Sequence, residues 1–259
     1  MRRGRPSARA LGKCQYATWQ QGEESRVTPV RLGGTRVCPS LDAALQARVR
    51  LTMPRVSATR TIENALRRAG FGLVAGTDEV GRGCLAGPVT AGVVILNPDR
   101  HIPGLSDSKA VPADERADLY DEIVHAAIAW AVASSDPRTI DRLNIHQASL
   151  DAMRRAVLAL TPLPDMVLVD AFHIPDIPMP QRGVKHGDRR CAAIAAASIV
   201  AKVTRDREMV VLHERDPRYG FNRHKGYATA DHLAAVARFG YSDAHRRSFR
   251  ASSLFDTMA

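Results

Sequence analysis

The chain has 259 residues, enough for one large or two small domains, and its 45% apolar content is that of an ordinary globular protein. Its formal net charge of +10 suits a polyanionic partner, but residues 1–52 hold ten Lys/Arg against three Asp/Glu while residues 53–259 hold 27 against 24. The body is therefore only mildly basic, and charge alone is poor evidence for nucleic-acid binding. Four cysteines with no Cys-x-x-Cys pair and no close Cys/His cluster argue against a zinc site and a disulfide framework. No apolar run nears the ~20 residues of a membrane helix, and no apolar stretch follows the basic start as in a secretory leader. The expectation is a cytoplasmic protein with no membrane contact.

In chain order, residues 1–52 are Arg-, Gly- and Gln-rich without a sustained period, which predicts a mostly disordered extension. Met53 begins a stretch that reads like a natural domain start, so the working protein is expected to begin near it. A short helix follows over 61–69. Strands are expected at about 71–79 and 88–96, then a loop at Leu105–Lys109 (LSDSK). Pro112 opens an amphipathic helix. A third strand covers about 128–135, and Asp136-Pro137 ends it. One long helix is expected over about 138–160, with Ile140, Leu143, Leu150, Met153, Val157 and Leu160 on one face. The short apolar run 166–170 reads as a buried central strand ending in Asp170. A proline-rich loop leads to a strand at about 182–186. A helix over about 190–214 begins with small residues that let it lie close to a sheet, and a shorter one covers 229–238. The first three strands can pair as a meander, and the fourth returns after a helix as a parallel crossover. The fold class is a mixed α/β layer with helices on both faces and a C-terminal helical appendage.

The chemistry centres on residues 75–88, AGTDEVGRGCLAGP. Asp78 and Glu79 end an apolar strand, and at ~4 Å two such charges repel by roughly 1 kcal/mol in water and by more in a shielded site. A divalent cation is the usual compensation. Gly81 and Gly83 bracket Arg82 and let the backbone approach a ligand with its N–H groups. The same glycines fit a dinucleotide fingerprint, but that motif must open a helix, and here Gly87-Pro88 and a β-rich run follow. Asp170 and Asp188 also fall at element ends. Read alone, Asp170 is as well explained as a solvated loop acid, and Asp188 better as a helix N-cap. Combined with Asp78-Glu79 they form an all-oxygen set suited to Mg²⁺ or Mn²⁺.

These stretches, with LSDSK, VLVD, KHGDRRCAAIAAASIVAKVTRDR and HKGYAT in that order and spacing, resemble bacterial ribonuclease HII, the type 2 ribonuclease H, over about residues 60–250. The resemblance implies a ribonuclease H-like mixed five-stranded sheet flanked by helices. It implies a two-metal endonuclease that cuts the RNA strand of RNA–DNA hybrids and nicks duplex DNA 5′ of single embedded ribonucleotides, leaving 3′-hydroxyl and 5′-phosphate ends. The family's metal-binding catalytic acids fall on Asp78, Glu79, Asp170 and Asp188. Its 2′-hydroxyl-reading loop falls on Gly81, Arg82 and Gly83, and its junction-sensing tyrosine on Tyr227. Lys109, Lys225 and Arg223 are candidate backbone contacts. The expected organisation is an extension at 1–58, a catalytic domain at 59–214 and a substrate-binding helical segment at 215–259, with a monomer as the default. The chain departs from the family at Ala171, where glycine is usual, after the DSK of LSDSK, and in its basic extension. A junction resolvase of similar fold and a non-catalytic hybrid-binding protein are the rival readings.

Overall fold

The computed structural model describes residues 15–17, 58–106, 108–109 and 111–249. Its elements in order are β1 (Gln15–Ala17), α1 (Thr61–Arg68), β2 (Val74–Val80), β3 (Val89–Leu96), α2 (Ala113–Ala126) and β4 (Ala127–Ser135). Then come α3 (Pro137–Leu143), α4 (Ile145–Leu158), β5 (Met166–Asp170), β6 (Gln181–Val184), α5 (Gly187–Arg190) and α6 (Ala192–Arg215). A 3₁₀ turn (Pro217–Tyr219), α7 (Phe221–His224) and α8 (Ala230–Phe239) close the series.

The sheet runs β1-β4-β3-β2-β5-β6. The five strands from β2 to β6 are the expected ones: β2, β3 and β4 form an antiparallel meander, and β5 and β6 add in parallel beside β2. A sixth, three-residue strand that the sequence reading did not place lies within the extension: β1 runs parallel to β4 at Gln15–Ala17. The rest of the basic extension, including the expected start near Met53, lies outside the described residues.

Successive strand residues point to opposite faces, and the burial follows that period of two. Val74, Val94, Leu96, Trp130, Val132 and Leu168 face the core beneath α6, α2 and α1. Ala75, Val93, Ile95, Ala131, Val167 and Val169 face the core beneath α4, with Met153 and Val157. The alanine-rich half of α6 touches the sheet backbone itself. A methyl group on Gly76 would lie 2.3 Å from the Ala193 carbonyl carbon, and one on Gly92 would lie 2.5 Å from the Ala197 oxygen. Glycine at these two strand positions is what lets the helix descend onto β2 and β3.

The single helix expected over 138–160 is two. Asn144 sits at φ 69° between α3 and α4, and its side chain accepts from the His146 and Gln147 N–H groups (3.0 and 3.1 Å), so it caps α4 while interrupting the helix before it. Asp136 caps α3 by accepting from Thr139 N–H at 2.7 Å, with Pro137 in the first turn.

Candidate active site

β2 and β5 pair in parallel with Thr77 opposite Val169. The next residues along, Asp78 and Asp170, therefore leave adjacent strands at the same sheet edge, where parallel neighbours lie ~4.8 Å apart. Glu79 follows Asp78 and points to the other face. Gly187, at the start of α5, donates its N–H to Asp170 Oδ1 at 2.8 Å. That contact brings the segment carrying Asp188, half-buried in α5, to the same edge. A methyl group on Gly187 would lie 3.2 Å from Asp170 Oδ1 and 2.5 Å from Ile194, so the close approach requires glycine. Asp188 lies within α5 and does not cap α6, whose N-cap is Cys191.

Each carboxylate is held by a different partner. Asp78 is 8% exposed, accepts from Glu79 N–H at 2.8 Å and is bonded by Ser198 of α6. Ser198 in turn meets Ser108 of the LSDSK loop at 2.8 Å, which ties that loop to the acids. Glu79 Oε1 meets Arg82 at 3.3 Å, and the Arg82 guanidinium lies over Phe172, 4.6 Å from the ring centre. Glu79 Oε2 is buried with no hydrogen-bond partner. Burial, then repulsion by Glu79 and Asp170, pushes Asp78 well above the usual carboxylate range. Burial pushes Glu79 up to about 7 against the opposing pull of Arg82. Among the described residues no three Asp, Glu, His or Cys side chains are already drawn together tightly enough to enclose an ion. Buried acids on adjacent strand ends, one with an orphaned oxygen, fit a divalent cation, which would supply the missing partner and lower both pKa values.

The Gly81–Gly83 turn lies directly after these acids. Gly81 adopts φ 91°, and Gly83 is exposed with open space beside it. The HKGYAT loop packs against the same stretch: Leu85 and Ala86 N–H both donate to the Gly226 carbonyl (2.9 and 3.3 Å). Tyr227, 39% exposed, is thereby set beside Cys84, next to the turn. Lys109 is exposed on the loop behind Ser108, while Asp107 lies outside the described residues. Lys225 is partly spoken for: its Nζ donates to the Asn222 carbonyl at 2.7 Å. Arg223 is exposed and lies 3.7 Å from Asp231. Ala171 occupies φ 57°, the left-handed conformation for which glycine is better suited.

Two sets of residues that the sequence reading passed over shape this site. Arg205 and Arg246 are completely buried, and both donate to backbone carbonyls of the stretch 81–88. Behind Tyr227, two histidines form a directed chain and a third stacks against it. Ser242 N–H donates to His245 Nδ1 (3.0 Å), His245 Nε2 meets His232 Nε2 (3.1 Å), and His232 Nδ1 meets the Tyr227 carbonyl (2.8 Å). His224, stacked on His232 at 4.3 Å, bridges Tyr219 O and Gly226 N–H. Neither arginine carries a sequence signal for burial, since both stand in charged segments, HRRSF and KVTRDR.

A mixed sheet with a strand-end acid pair, a crossover acid beside it and a covering long helix defines a nuclease of the ribonuclease H-like class. The Ribonuclease HII family model matches residues 75–252. The Ribonuclease HII of Vibrio cholerae serotype O1 is 51% identical over 181 residues, covering 70% of this chain and 88% of its own. The Coxiella burnetii enzyme of the same name is 51% identical over 177 residues, covering 68% and 88%. The crystal structure of the ribonuclease H2 from Pyrococcus horikoshii OT3 superposes with TM-score 0.59 at 23% identity, over 71% of this chain and 97% of that one. The chain belongs to the ribonuclease HII family. Its activity is that of a ribonuclease H endonuclease, an activity directed at RNA–DNA hybrids and dependent on divalent metal.

Proposed function

We propose that this endonuclease recognises the 2′-hydroxyl of a ribonucleotide and hydrolyses the phosphodiester on its 5′ side, in continuous hybrids and at single ribonucleotides embedded in duplex DNA. The observation that carries this reading is the junction at one sheet edge. The ends of β2 and β5 deliver Asp78, Glu79 and Asp170, and β2 runs straight into a glycine turn, exposed at Gly83, next to Tyr227. The 2′-hydroxyl both donates and accepts, so backbone N–H and C=O groups are suited to reading it.

Asp78, Glu79, Asp170 and Asp188 would hold Mg²⁺ or Mn²⁺. When bound, such ions activate water and neutralise charge on the reacting phosphate. The chain's own groups do the rest. Ser198 and the Glu79 N–H orient the Asp78 carboxylate, and Gly187 N–H orients Asp170 by one of its oxygens. Arg82 restrains Glu79 while its Phe172 contact holds its own side chain. The Tyr227 ring would present an aromatic face that suits a deoxyribose and disfavours an added hydroxyl. Lys109 and Lys225 are the proposed backbone contacts, and the protein is proposed to act as a cytoplasmic monomer.

The test is strand cleavage of a duplex carrying one internal ribonucleotide, with Mg²⁺ and with chelator. A single metal-dependent nick 5′ of the ribonucleotide is expected. Equal cutting of an all-DNA duplex or four-way junction, or cutting that persists in chelator, would overturn the reading.

A further inference from the structure

Arg246 stands outside the acids and the turn, yet it is the most heavily engaged side chain near them. Its guanidinium is completely buried and donates to four carbonyls: Nε to Gly87 (3.0 Å), Nη1 to Arg82 (2.9 Å), and Nη2 to Gly81 (2.6 Å) and Pro88 (3.1 Å). Arg205, equally buried, shares the Pro88 carbonyl (2.9 Å) and adds those of Ala86 (3.2 Å) and Lys225 (2.9 Å). Among the described residues neither guanidinium has a carboxylate at ion-pair distance. Two like charges are thus buried side by side, compensated chiefly by carbonyl dipoles, with Asp141 acting on Arg246 and Glu208 on Arg205 only from beyond ion-pair distance, an arrangement that is costly for stability alone.

The geometry points to what it accomplishes. In a trans peptide the C=O and the following N–H point in opposite directions. Arg246 draws the Gly81 and Arg82 carbonyls inward, so the N–H groups of Arg82 and Gly83 are turned away from it, towards the exposed side of the turn. The segment that carries Arg246 is fastened to the catalytic layer. Asp141 of α3 accepts from Arg247 N–H (2.9 Å), Ser248 N–H (2.9 Å) and Ser248 Oγ (2.6 Å). Arg246 N–H donates to the Leu85 carbonyl at 3.0 Å, and its guanidinium lies over Phe249 at 5.1 Å.

We propose that Arg246 is a positioning residue for the reaction: by seizing the carbonyls of Gly81 and Arg82 it aims the backbone N–H groups of the turn at the ribose, making His245–Phe249 part of the sugar-reading apparatus. This rests on the reading of Gly81–Gly83 as that apparatus. Lysine at 246 keeps the charge but cannot reproduce a planar fork reaching four acceptors.

The experiment compares wild type, Arg246→Lys and Arg246→Ala on the single-ribonucleotide duplex in Mg²⁺, with circular dichroism melts and substrate binding in chelator alongside. For Arg246→Lys a folded protein is expected, with KM and binding within about threefold of wild type but kcat lower by about 100-fold, because a misdirected turn costs orientation of the reacting bond rather than contact area. Added guanidinium ion at non-denaturing concentration is expected to restore kcat of Arg246→Ala by about tenfold while leaving wild type unchanged. Wild-type kcat in Arg246→Lys, a loss expressed only in KM, absent rescue, or unfolding of both variants would each overturn the proposal. A wild type that fails to nick this duplex overturns the underlying reading instead, and that is seen before any variant is compared.

Discussion

The histidine chain behind Tyr227 makes this enzyme acid-sensitive in a way that can be calculated. The Tyr227 carbonyl only accepts, so His232 Nδ1 carries the proton and its Nε2 is an acceptor. His245 must then donate from Nε2, which leaves its Nδ1 to accept from Ser242 N–H, as found. His224 is fixed in the same way, accepting from Gly226 N–H and donating to the Tyr219 carbonyl. Every ring is neutral in a defined tautomer, and an added proton would set two donors face to face. Burial lowers His232 and His245 to about 4, from an ordinary 6.5. Histidines with depressed pKa contribute stability above the unfolded value, and it is lost as pH falls from about 6.5 towards 4. At pH 5 each ring costs about 2 kcal/mol by that linkage, and the pair, which shares one hydrogen bond and is partly screened by solvent, about 3 kcal/mol. Glu79 works in the opposite sense, since its raised pKa favours the folded state as pH falls below about 7. The measurement therefore uses Glu79→Gln as background and urea unfolding at pH 7.5, 6 and 5 without metal. Asp78 is raised too and opposes the histidines equally in both proteins, so the readout is the difference between them: the loss of stability over that range should be about 2 kcal/mol smaller once His245→Gln is added. Identical pH slopes in the two proteins, or imidazole proton resonances of His232 and His245 that titrate near 6.5, would refute the tautomer chain.

Four other outcomes follow from the site. Asp78→Asn should abolish cleavage while hybrid binding, measured by fluorescence anisotropy, persists; wild-type turnover in Mg²⁺ would contradict the metal scheme. Tyr227→Ala should lose about tenfold more activity on a single embedded ribonucleotide than on a continuous hybrid, because only the former requires discrimination of a deoxyribose neighbour; equal losses would remove that role. Mg²⁺ or Mn²⁺ should raise the melting temperature more at pH 8 than at pH 5, since Asp78 and Glu79 are raised and must lose protons to bind; a larger rise at pH 5 would count against those ligands. Ala171→Gly relieves a left-handed alanine at roughly 1 kcal/mol but adds chain entropy of similar size, so a urea midpoint within about 0.5 kcal/mol of wild type is expected.

What could be read in advance divides along a physical line. The strand alternation and the small-residue face of α6 are local patterns, and they place five strands and the acids at strand ends correctly because burial acts residue by residue. Asp78, Glu79 and Asp170 were legible for that reason: an acid closing an apolar strand is visible in one dimension. Asn144 was not, since its side chain both ends one helix and caps the next, and a residue of positive φ leaves little trace in a continuous apolar stripe. The link from Ser108 through Ser198 to Asp78 joins three distant segments by small side chains with no distinctive spacing. The two arginines are the sharper case. A charge count treats Arg205 and Arg246 as surface cations available to a polyanion, yet both are spent on carbonyls inside the fold. The +10 of the whole chain therefore overstates what a nucleic acid meets directly, and part of it acts from behind the turn, through the peptide groups it orients. It follows that the C-terminal segment, expected as a substrate-binding helical appendage, also belongs to the construction of the catalytic edge. A cut before Arg246 should remove activity even though every acid would remain in place.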